Sequence, residues 1–303
     1  MVRILVTDGM EKAAVKDLQN SGFEVVEQFY EVEELKQKIK EFDVIVVRSA
    51  TKVREPIIDA ALETGRLKLV IRGGVGVDNI DVEYAKSKGI TVNNTPNASS
   101  ASVAELAIGH MFCMARYLHI ANYTMRQGKW EKKHYEGIEL AGKTLGLIGF
   151  GRIAKEVAKK AMALGMKVVY TDIIGDQNHP DFKFLTMDEL LSKSDFISIH
   201  IPGSKDKKAV IGEAEFAKMK DGVYIVNAAR GGVVCEAALL KALDSGKVSA
   251  AALDVFEEEP SKNEAIYTHP KISLTPHIGA STAEAQERIG EEIVSIIKNH
   301  FKA

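Results

Sequence analysis

Short runs of apolar residues alternate along the chain with longer segments whose apolar residues recur at helical spacing. The first run occupies residues 2–6, and the strongest is Asp43-Val44-Ile45-Val46-Val47. A period of three to four residues indicates amphipathic helices, whereas the apolar runs are short enough for buried strands. In the N-terminal part the pattern predicts strands at 2–6, 25–26, 43–47, 67–71 and 90–92, and helices at 10–20, 31–40, 55–63 and 81–87. This alternation predicts a parallel sheet with helices on both faces.

A segment of different character separates this part from the next series of strands. Pro96 excludes a continuous helix across 93–98, so we expect a hinge there. A long helix, capped by Ser99 or Ser100, is predicted to run to about residue 125, and its wide apolar surface indicates burial on more than one side. Residues 127–142 are polar and basic and include the only tryptophan, Trp130. We expect this extension to contact a second subunit.

The alternation of strands and helices resumes at Lys143. Strands are predicted from residue 143 and at 167–171, 195–199, 223–226, 248–253 and 271–275, with helices at 155–164, 187–192, 213–219, 235–245 and 281–300. We expect the last helix to return and pack on the first domain. The predicted domains are therefore 1–97 with 281–303, and 98–280.

A glycine-rich turn joins the strand that starts at Lys143 to the following helix. Gly149 permits a tight turn, Gly151 lets backbone approach a pyrophosphate, and Ala154 allows close packing of helix and strand. Asp172 ends the next strand, 21 residues after Gly151, where an acid binds the adenosine ribose. A carboxylate there repels a 2′-phosphate, which favours NAD over NADP. The alternative is a strand–turn–helix without a ligand, with Asp172 capping a helix.

Two loops of the N-terminal part lie at the carboxyl ends of predicted strands, where ligands collect in such sheets. They are Arg48-Ser49 and the stretch from Arg72 to Gly76, which holds three glycines within four residues. Backbone N–H groups of such a loop can approach an anion. Ordinary turn chemistry explains the glycines equally well.

Three side chains that suit one reaction follow strands of the second part. Glu259 beside His277 would stabilise the protonated ring, and Arg230 would clamp a carboxylate through two parallel hydrogen bonds. With a nicotinamide, this set predicts hydride transfer at a 2-hydroxy acid, where His277 accepts the hydroxyl proton. Taken singly, each residue has an ordinary structural explanation, as an ion-pair partner, a turn residue or part of a solvated acidic run.

Composition restricts the class of protein. The chain has 303 residues, enough for two domains, and its net charge of −2 gives no basic field for nucleic acid or membrane. Its two cysteines, Cys113 and Cys235, lie far apart, which argues against a disulfide framework. We expect no signal peptide, no transmembrane span and no metal, and a cytoplasmic location.

Three further stretches resemble the signatures of the D-2-hydroxyacid dehydrogenases. They are Asn227-Ala228-Ala229-Arg230-Gly231-Gly232, Asp254-Val255-Phe256-Glu257-Glu258-Glu259-Pro260 and Thr275-Pro276-His277-Ile278-Gly279-Ala280. Within this family the chain is most similar to the phosphoglycerate dehydrogenases, through Val47-Arg48-Ser49-Ala50-Thr51-Lys52-Val53, Gly76-Val77-Asp78-Asn79-Ile80-Asp81, Asn94-Thr95-Pro96-Asn97 and Gly128-Lys129-Trp130-Glu131. The resemblance covers essentially the whole chain.

The resemblance implies a Rossmann NAD-binding domain and a flavodoxin-like substrate domain, both doubly wound, with the active-site cleft between them. It implies a catalytic set of Arg230, Glu259 and His277, with Glu259 chosen because it directly precedes Pro260. Implied NAD contacts, besides the glycine turn and Asp172, are Arg152, Ile153, Ile201, Ala228, Ala229, Arg230, Asp254, His277, Gly279 and Ala280. Implied substrate contacts are Arg48, Ser49, Gly73, Gly74, Val75, Gly76 and Lys132, the last reaching the phosphate in a neighbouring subunit of a homodimer built on 98–142.

The expected activity is oxidation of D-3-phosphoglycerate to 3-phosphohydroxypyruvate in serine biosynthesis. Alternatives are a glyoxylate/hydroxypyruvate or D-lactate type reductase, and an NAD-sensing corepressor that keeps the same residues. Val75 and Cys235 depart from the family pattern, which usually has a threonine and an acid there. Because the sequence stops at Ala303, we expect no C-terminal domain for feedback by serine.

Overall fold

The computed structural model describes residues 1–203 and 208–302. The chain forms two compact units, Met1–Ser99 with Ala280–Ala303, and Ser100–Gly279. Within the described residues, every helix is too short or too polar to cross a lipid bilayer.

The first unit is built on a five-stranded parallel sheet. Its strands are β1 (Arg3–Val6), β2 (Glu24–Glu27), β3 (Val44–Val47), β4 (Leu69–Arg72) and β5 (Thr91–Asn94). Their spatial order is β2-β1-β3-β4-β5, the order of the flavodoxin-like fold. The direction of the order reverses between β1 and β3, which makes the ends of these two strands the expected ligand position.

Helices cover both faces of this sheet. They are α1 (Lys12–Asn20), α2 (Val32–Lys38), α3 (Glu55–Leu62) and α4 (Val82–Ser87), with a 3₁₀ turn at Ile39–Glu41, and the final helix of the chain, α12 (Ala283–Phe301), belongs to the same unit. All four residues of β3 are buried because its side chains alternate between two cores. Ile45 and Val47 point into one core, and Val44 and Val46 into the other, where Ile293 of α12 also packs.

The second unit is built on a seven-stranded parallel sheet. Its strands are β6 (Thr144–Ile148), β7 (Lys167–Thr171), β8 (Lys183–Phe184), β9 (Phe196–Ile199), β10 (Val223–Asn227), β11 (Val248–Leu253) and β12 (Ile272–Leu274). The order β12-β11-β10-β9-β6-β7-β8 is that of a Rossmann sheet with one strand added at the edge. Here the reversal falls between β6 and β9.

Helices again lie on both faces of this sheet. They are α5 (Ser100–Ala115), α6 (Leu118–Arg126), α7 (Arg152–Ala163), α8 (Met187–Lys193), α9 (Glu213–Lys218), α10 (Glu236–Asp244) and α11 (Glu264–Tyr267), with a 3₁₀ turn at Lys132–His134. Local sequence fixes several ends, as in α8, where Thr186 and Glu189 form a reciprocal capping box. Two cores flank the sheet, and α5 packs on α7 within one of them.

The predicted long helix to residue 125 is wrong, because the segment forms α5 and α6 with a break between them. Tyr117 has a left-handed backbone at φ 55°, and the carbonyl of Ala115 accepts a hydrogen bond from the N–H of Ile138. The carbonyl of Ala115 is thus bonded to a residue distant in sequence and not to an N–H of a following helical turn. The short β8 and α11 were also not predicted, since two or four residues carry no measurable periodicity.

Candidate active site

Three neighbouring strands bring the candidate catalytic residues to one edge of the second sheet. The N–H of Asp254 donates to the carbonyl of Asn227 at 3.0 Å, and the N–H of Thr275 donates to that of Leu253 at 3.0 Å. The ends of β10, β11 and β12 are therefore in register, and the loops that leave them start side by side. Arg230, Glu259 and His277 lie on these three loops.

His277 and Glu259, 18 residues apart in sequence, form a direct pair. The imidazole Nδ1 lies 2.7 Å from the Glu259 Oε2, and each side chain is 36% exposed. The other carboxylate oxygen, Oε1, accepts the N–H of Phe256 at 3.1 Å. Because a carboxylate only accepts, Nδ1 carries the proton in this contact and Nε2 is the opposite, accepting nitrogen of the neutral ring.

The surroundings of Glu259 favour its ionised form. Partial burial raises the pKa of this carboxyl, but the hydrogen bond and charge of His277, the N–H of Phe256 and the charge of Arg230 together outweigh burial and hold the pKa below the ordinary 4.5. Glu259 is therefore an anion at neutral pH. An anion at this position holds the ring of His277 in one orientation by accepting from Nδ1.

The loop that carries Arg230 is held against the loop that carries Glu259. Asn227 orders the first loop, since its side-chain oxygen accepts the N–H of Ala229 at 3.1 Å and its amide donates to the carbonyl of Arg230 at 3.0 Å. Gly231 makes the approach possible: a Cβ at this position would overlap the carbonyl oxygen of Phe256 and lie 3.1 Å from its nitrogen. Only glycine lets the two loops pack this closely.

Asp254 anchors the segment that contains His277. Its Oδ1 accepts the N–H of Ile278 at 2.8 Å and the hydroxyl of Thr275 at 2.6 Å, and its Oδ2 accepts the N–H of Gly279 at 2.9 Å. His277 itself has a left-handed backbone at φ 54°, uncommon for a side chain with a Cβ. The carboxylate of Asp254 thus holds both sides of an unusual turn.

The glycine turn after β6 fits a dinucleotide pyrophosphate. Gly149 has φ 85°, and a Cβ there would come within 2.5 Å of the carbonyl oxygen of His200, whereas space is open around Gly151. Gly151 precedes α7 without a side-chain cap, which leaves the first N–H groups of the helix for a bound anion. Asp172 contacts this turn, since its Oδ2 accepts the N–H of Phe150 at 2.7 Å.

Most of the other residues implied to contact the cofactor follow strands of this sheet or begin α7. At the start of α7, Arg152 is exposed and Ile153 is half-buried. Ile201 follows β9, and its side chain would lie 2.7 Å from a Cβ on Gly149. Ala228 is buried and Ala229 half-buried after β10. Ala280 belongs to the first unit, where its carbonyl accepts the amide of Gln286 at 2.8 Å.

In the first unit, the two predicted loops follow β3 and β4, which are neighbours in the sheet. A Cβ on Gly73 would lie 3.7 Å from the Arg48 side chain, so the two loops meet. Val75 is fixed by Asn94, whose amide donates to its carbonyl at 2.5 Å. Ser49 is exposed beside Arg48. In the glycine loop, Gly74 has φ 143°, and Gly76 follows two residues later.

Two residues that sequence analysis did not single out hold the Arg48 loop. Asp8, after β1, accepts the N–H of Arg48 at 2.7 Å and the hydroxyl of Thr51 at 2.6 Å. The amide of Asn79 donates to the carbonyls of Arg48 at 2.8 Å and Thr51 at 2.7 Å. The position of Asp8 at the end of a strand was the available signal, whereas Asn79 was marked only as part of the stretch 76–81 that carries the family resemblance. Lys132 lies exposed on the 3₁₀ turn of the second unit.

Comparison with known proteins identifies the family of this chain. Residues 108–279 match the family described as D-isomer specific 2-hydroxyacid dehydrogenase, NAD binding domain. The chain belongs to this family. This match confirms the family resemblance noted in the sequence and the NAD cofactor, and the two parallel sheets confirm the pair of α/β domains. The chain is an NAD-dependent 2-hydroxyacid dehydrogenase.

Relatives of the chain carry two different substrate names. A hydroxypyruvate reductase from Thermotoga maritima is 49% identical over 97% of this chain and 97% of that protein. A D-3-phosphoglycerate dehydrogenase from Methanocaldococcus jannaschii is 46% identical over 98% of this chain, which spans only 57% of that protein's length. A D-lactate dehydrogenase from Aquifex aeolicus, solved with NAD and lactic acid, has a TM-score of 0.85 at 31% identity and covers 99% of this chain and 95% of its own.

Proposed function

We propose that this 2-hydroxyacid dehydrogenase oxidises D-3-phosphoglycerate to 3-phosphohydroxypyruvate, the oxidation that enters serine biosynthesis. The observation that carries the reaction type is the 2.7 Å contact between Nδ1 of His277 and Glu259, at the strand ends where Arg230 also lies. A general base needs a fixed orientation and a neighbour that stabilises its protonated form, and this pair supplies both.

The three side chains divide the work in this proposal. Nε2 of His277 accepts the proton of the substrate hydroxyl, because Nδ1 is engaged by Glu259. Glu259 stays ionised and offsets the positive charge that the ring gains. Arg230 binds the substrate carboxylate, for which its planar guanidinium has matching geometry. Bound NAD would supply the hydride acceptor for C2 of the substrate.

We assign the cofactor to the glycine turn of the second unit. The helix N-terminus at Gly151 takes the pyrophosphate, and Asp172 takes the adenosine ribose, which selects against a 2′-phosphate. Arg152, Ile153, Ile201, Ala228, Ala229, Asp254, Gly279 and Ala280 complete the proposed NAD contacts.

The choice of a phosphorylated substrate is supported by the Arg48 loop. Arg48 follows β3, one of the two strands at the reversal of strand order where ligands of this fold collect, and its side chain lies against Gly73 of the glycine loop. A guanidinium beside backbone N–H groups suits a phosphate. Lys132 is proposed as a further cation for this phosphate, supplied by a neighbouring subunit.

A second candidate substrate, unphosphorylated hydroxypyruvate, is favoured by one observation. The Thermotoga maritima relative named hydroxypyruvate reductase matches this chain over nearly the whole of both proteins. The test is a panel of D-glycerate, D-3-phosphoglycerate, D-lactate, glyoxylate and hydroxypyruvate with NAD or NADH. We expect the highest kcat/KM with the phosphorylated acid, and Arg48→Ala should raise its KM by about tenfold while changing that for D-glycerate little. Equal effects on both substrates would exclude a phosphate role for Arg48.

The role of His277 has its own test. His277→Ala should lower kcat by about 100-fold or more and leave the dissociation constant of NADH nearly unchanged. Turnover equal to that of the native chain would remove His277 from the mechanism. A native chain that binds NADH but turns over no 2-hydroxy acid would instead support a corepressor-like role.

We also propose a homodimer formed by residues 98–142. Large apolar side chains of this segment are exposed on the described chain, namely Phe112, Leu118, Tyr123, Met125 and Trp130, the last at 78%. Several large exposed apolar side chains within one segment are typical of an interface. Trp130→Glu should shift the solution mass from dimer to monomer in sedimentation experiments.

We place the protein in the cytoplasm, since Cys113 and Cys235 are both free thiols.

A further inference from the structure

The middle of α5 carries a buried histidine that the proposed mechanism does not use. His110 is only 4% exposed, yet both of its ring nitrogens have partners. Nδ1 lies 3.1 Å from the hydroxyl of Ser273, on β12, and Nε2 lies 3.0 Å from the hydroxyl of Thr275, directly after β12. The side chain therefore connects a helix to the strand end that leads to His277.

The hydrogen-bond directions along this connection follow from the acceptor at its end. The Thr275 hydroxyl donates its only proton to Oδ1 of Asp254 at 2.6 Å, so toward His110 it can only accept. Nε2 of His110 must then carry the ring proton and donate it. Nδ1 is left as an acceptor for the Ser273 hydroxyl. Every donor in the series points toward the carboxylate, and aligned hydrogen bonds polarise and strengthen one another.

The end of this series is the turn that presents His277. Asp254 is 1% exposed and accepts the N–H groups of Ile278 and Gly279, the two residues that follow the left-handed His277. If the hydroxyl of Thr275 were not oriented, Oδ1 would lose one of its two donors. The turn would then have less to hold it in the conformation that brings Nδ1 of His277 to Glu259.

We propose that His110 is a positioning residue for His277, acting by orienting the Thr275 hydroxyl toward Asp254 and so fixing the turn at residues 277–279. This role rests on the proposed function, in which His277 is the general base. Burial lowers the pKa of His110, more than the nearby charge of Asp254 raises it, so the ring stays neutral as the hydrogen-bond directions require.

A matched pair of substitutions separates the two ring nitrogens. His110→Gln keeps an N–H donor at about the distance of Nε2, whereas His110→Asn is shorter and keeps a polar group only at about the position of Nδ1. Thr275→Val removes the hydroxyl and keeps the shape of the side chain. The activity readout is kcat per NADH-binding site, counted by fluorescence titration, so that unfolded protein does not enter the result.

We expect His110→Asn and Thr275→Val to lower kcat per site by about tenfold, the effect of losing one hydrogen bond to a charged group, and His110→Gln to stay within about twofold of the native value. The substrate KM should change little in all three, since Arg230 and Arg48 are not touched. The idea is overturned if the Asn and Gln variants have equal kcat per site, or if all three retain the native value.

Amide hydrogen exchange tests the same idea without turnover. The N–H groups of Ile278 and Gly279 should exchange about tenfold faster in His110→Asn and Thr275→Val than in the native chain, and at the native rate in His110→Gln. If the native chain turns over no substrate, the proposed function fails while exchange still decides the role of His110. If exchange is unchanged in all variants, the hydrogen bonds from His110 through Thr275 to Asp254 do not stabilise this turn.

Discussion

The contact between the Arg230 loop and the Glu259 loop depends on the absence of a side chain at Gly231. Adding one methyl group there tests whether this close contact is needed for activity. In Gly231→Ala the added Cβ would overlap the carbonyl oxygen of Phe256. The obstacle is backbone on both sides, so no rotation of a side chain relieves it. The residue three positions beyond Phe256 is Glu259, which also accepts the N–H of Phe256.

The size of the effect follows from ordinary contact distances. Carbon and carbonyl oxygen approach to roughly 3.3 Å at the closest, so the two loops must separate by more than about 1 Å. A misplacement of about 1 Å in a catalytic constellation lowers the rate by about 100-fold. Overpacking of this kind also lowers the free energy of unfolding by about 1–3 kcal/mol. We therefore expect kcat/KM to fall by about 100-fold in a protein that still folds.

Gly203→Ala provides the matched control. Its added Cβ would lie 3.8 Å from Cβ of Arg230, an ordinary van der Waals distance in the same neighbourhood. Both variants are compared in kcat/KM with the best substrate, in NADH affinity and in thermal unfolding. If Gly231→Ala behaves like Gly203→Ala, the close approach of the loops does not set the geometry of the site.

Two further predictions concern charge. Because the folded-state pKa of Glu259 lies below 4.5, its ionised form stabilises the fold above that pH, and this contribution is lost as pH falls through the lower folded value. Glu259→Gln should thus be less stable than the native chain at neutral pH, with the difference in urea unfolding shrinking as the pH falls below 4.5, and a constant difference would contradict this. Asp172→Ala should lower the NAD/NADP ratio of kcat/KM by about tenfold or more, and an unchanged ratio would remove Asp172 from cofactor selection.

Periodicity predicted most of the fold because both sheets are parallel and buried on both faces. Such strands form dense apolar runs, as in β3, and they are separated by amphipathic helices of ordinary length. The break at Tyr117 was not predictable from the local pattern. Its cause is a hydrogen bond from Ile138 to Ala115, a contact between residues far apart in sequence.

The candidate site divides in the same way. His277 and Glu259 were predicted as partners from residue chemistry and strand ends, and they lie 2.7 Å apart. The residues that support the site escaped prediction, because Asn79 and His110 act through contacts that only the packed structure creates. Their sequence neighbourhoods are a turn and an apolar helix face, which carry no sign of the partners.

The helix α12 has a consequence for the order in which the two units are completed. Its residues Ile289, Ile293 and Ile297 are part of a core that also contains Ile4 and Val6 of β1. The N-terminal strands emerge from the ribosome first, but one side of their core stays uncovered until α12 has been synthesised. Residues 100–279 need no such late arrival. The unit whose first strands are synthesised earliest is therefore the unit that finishes folding last.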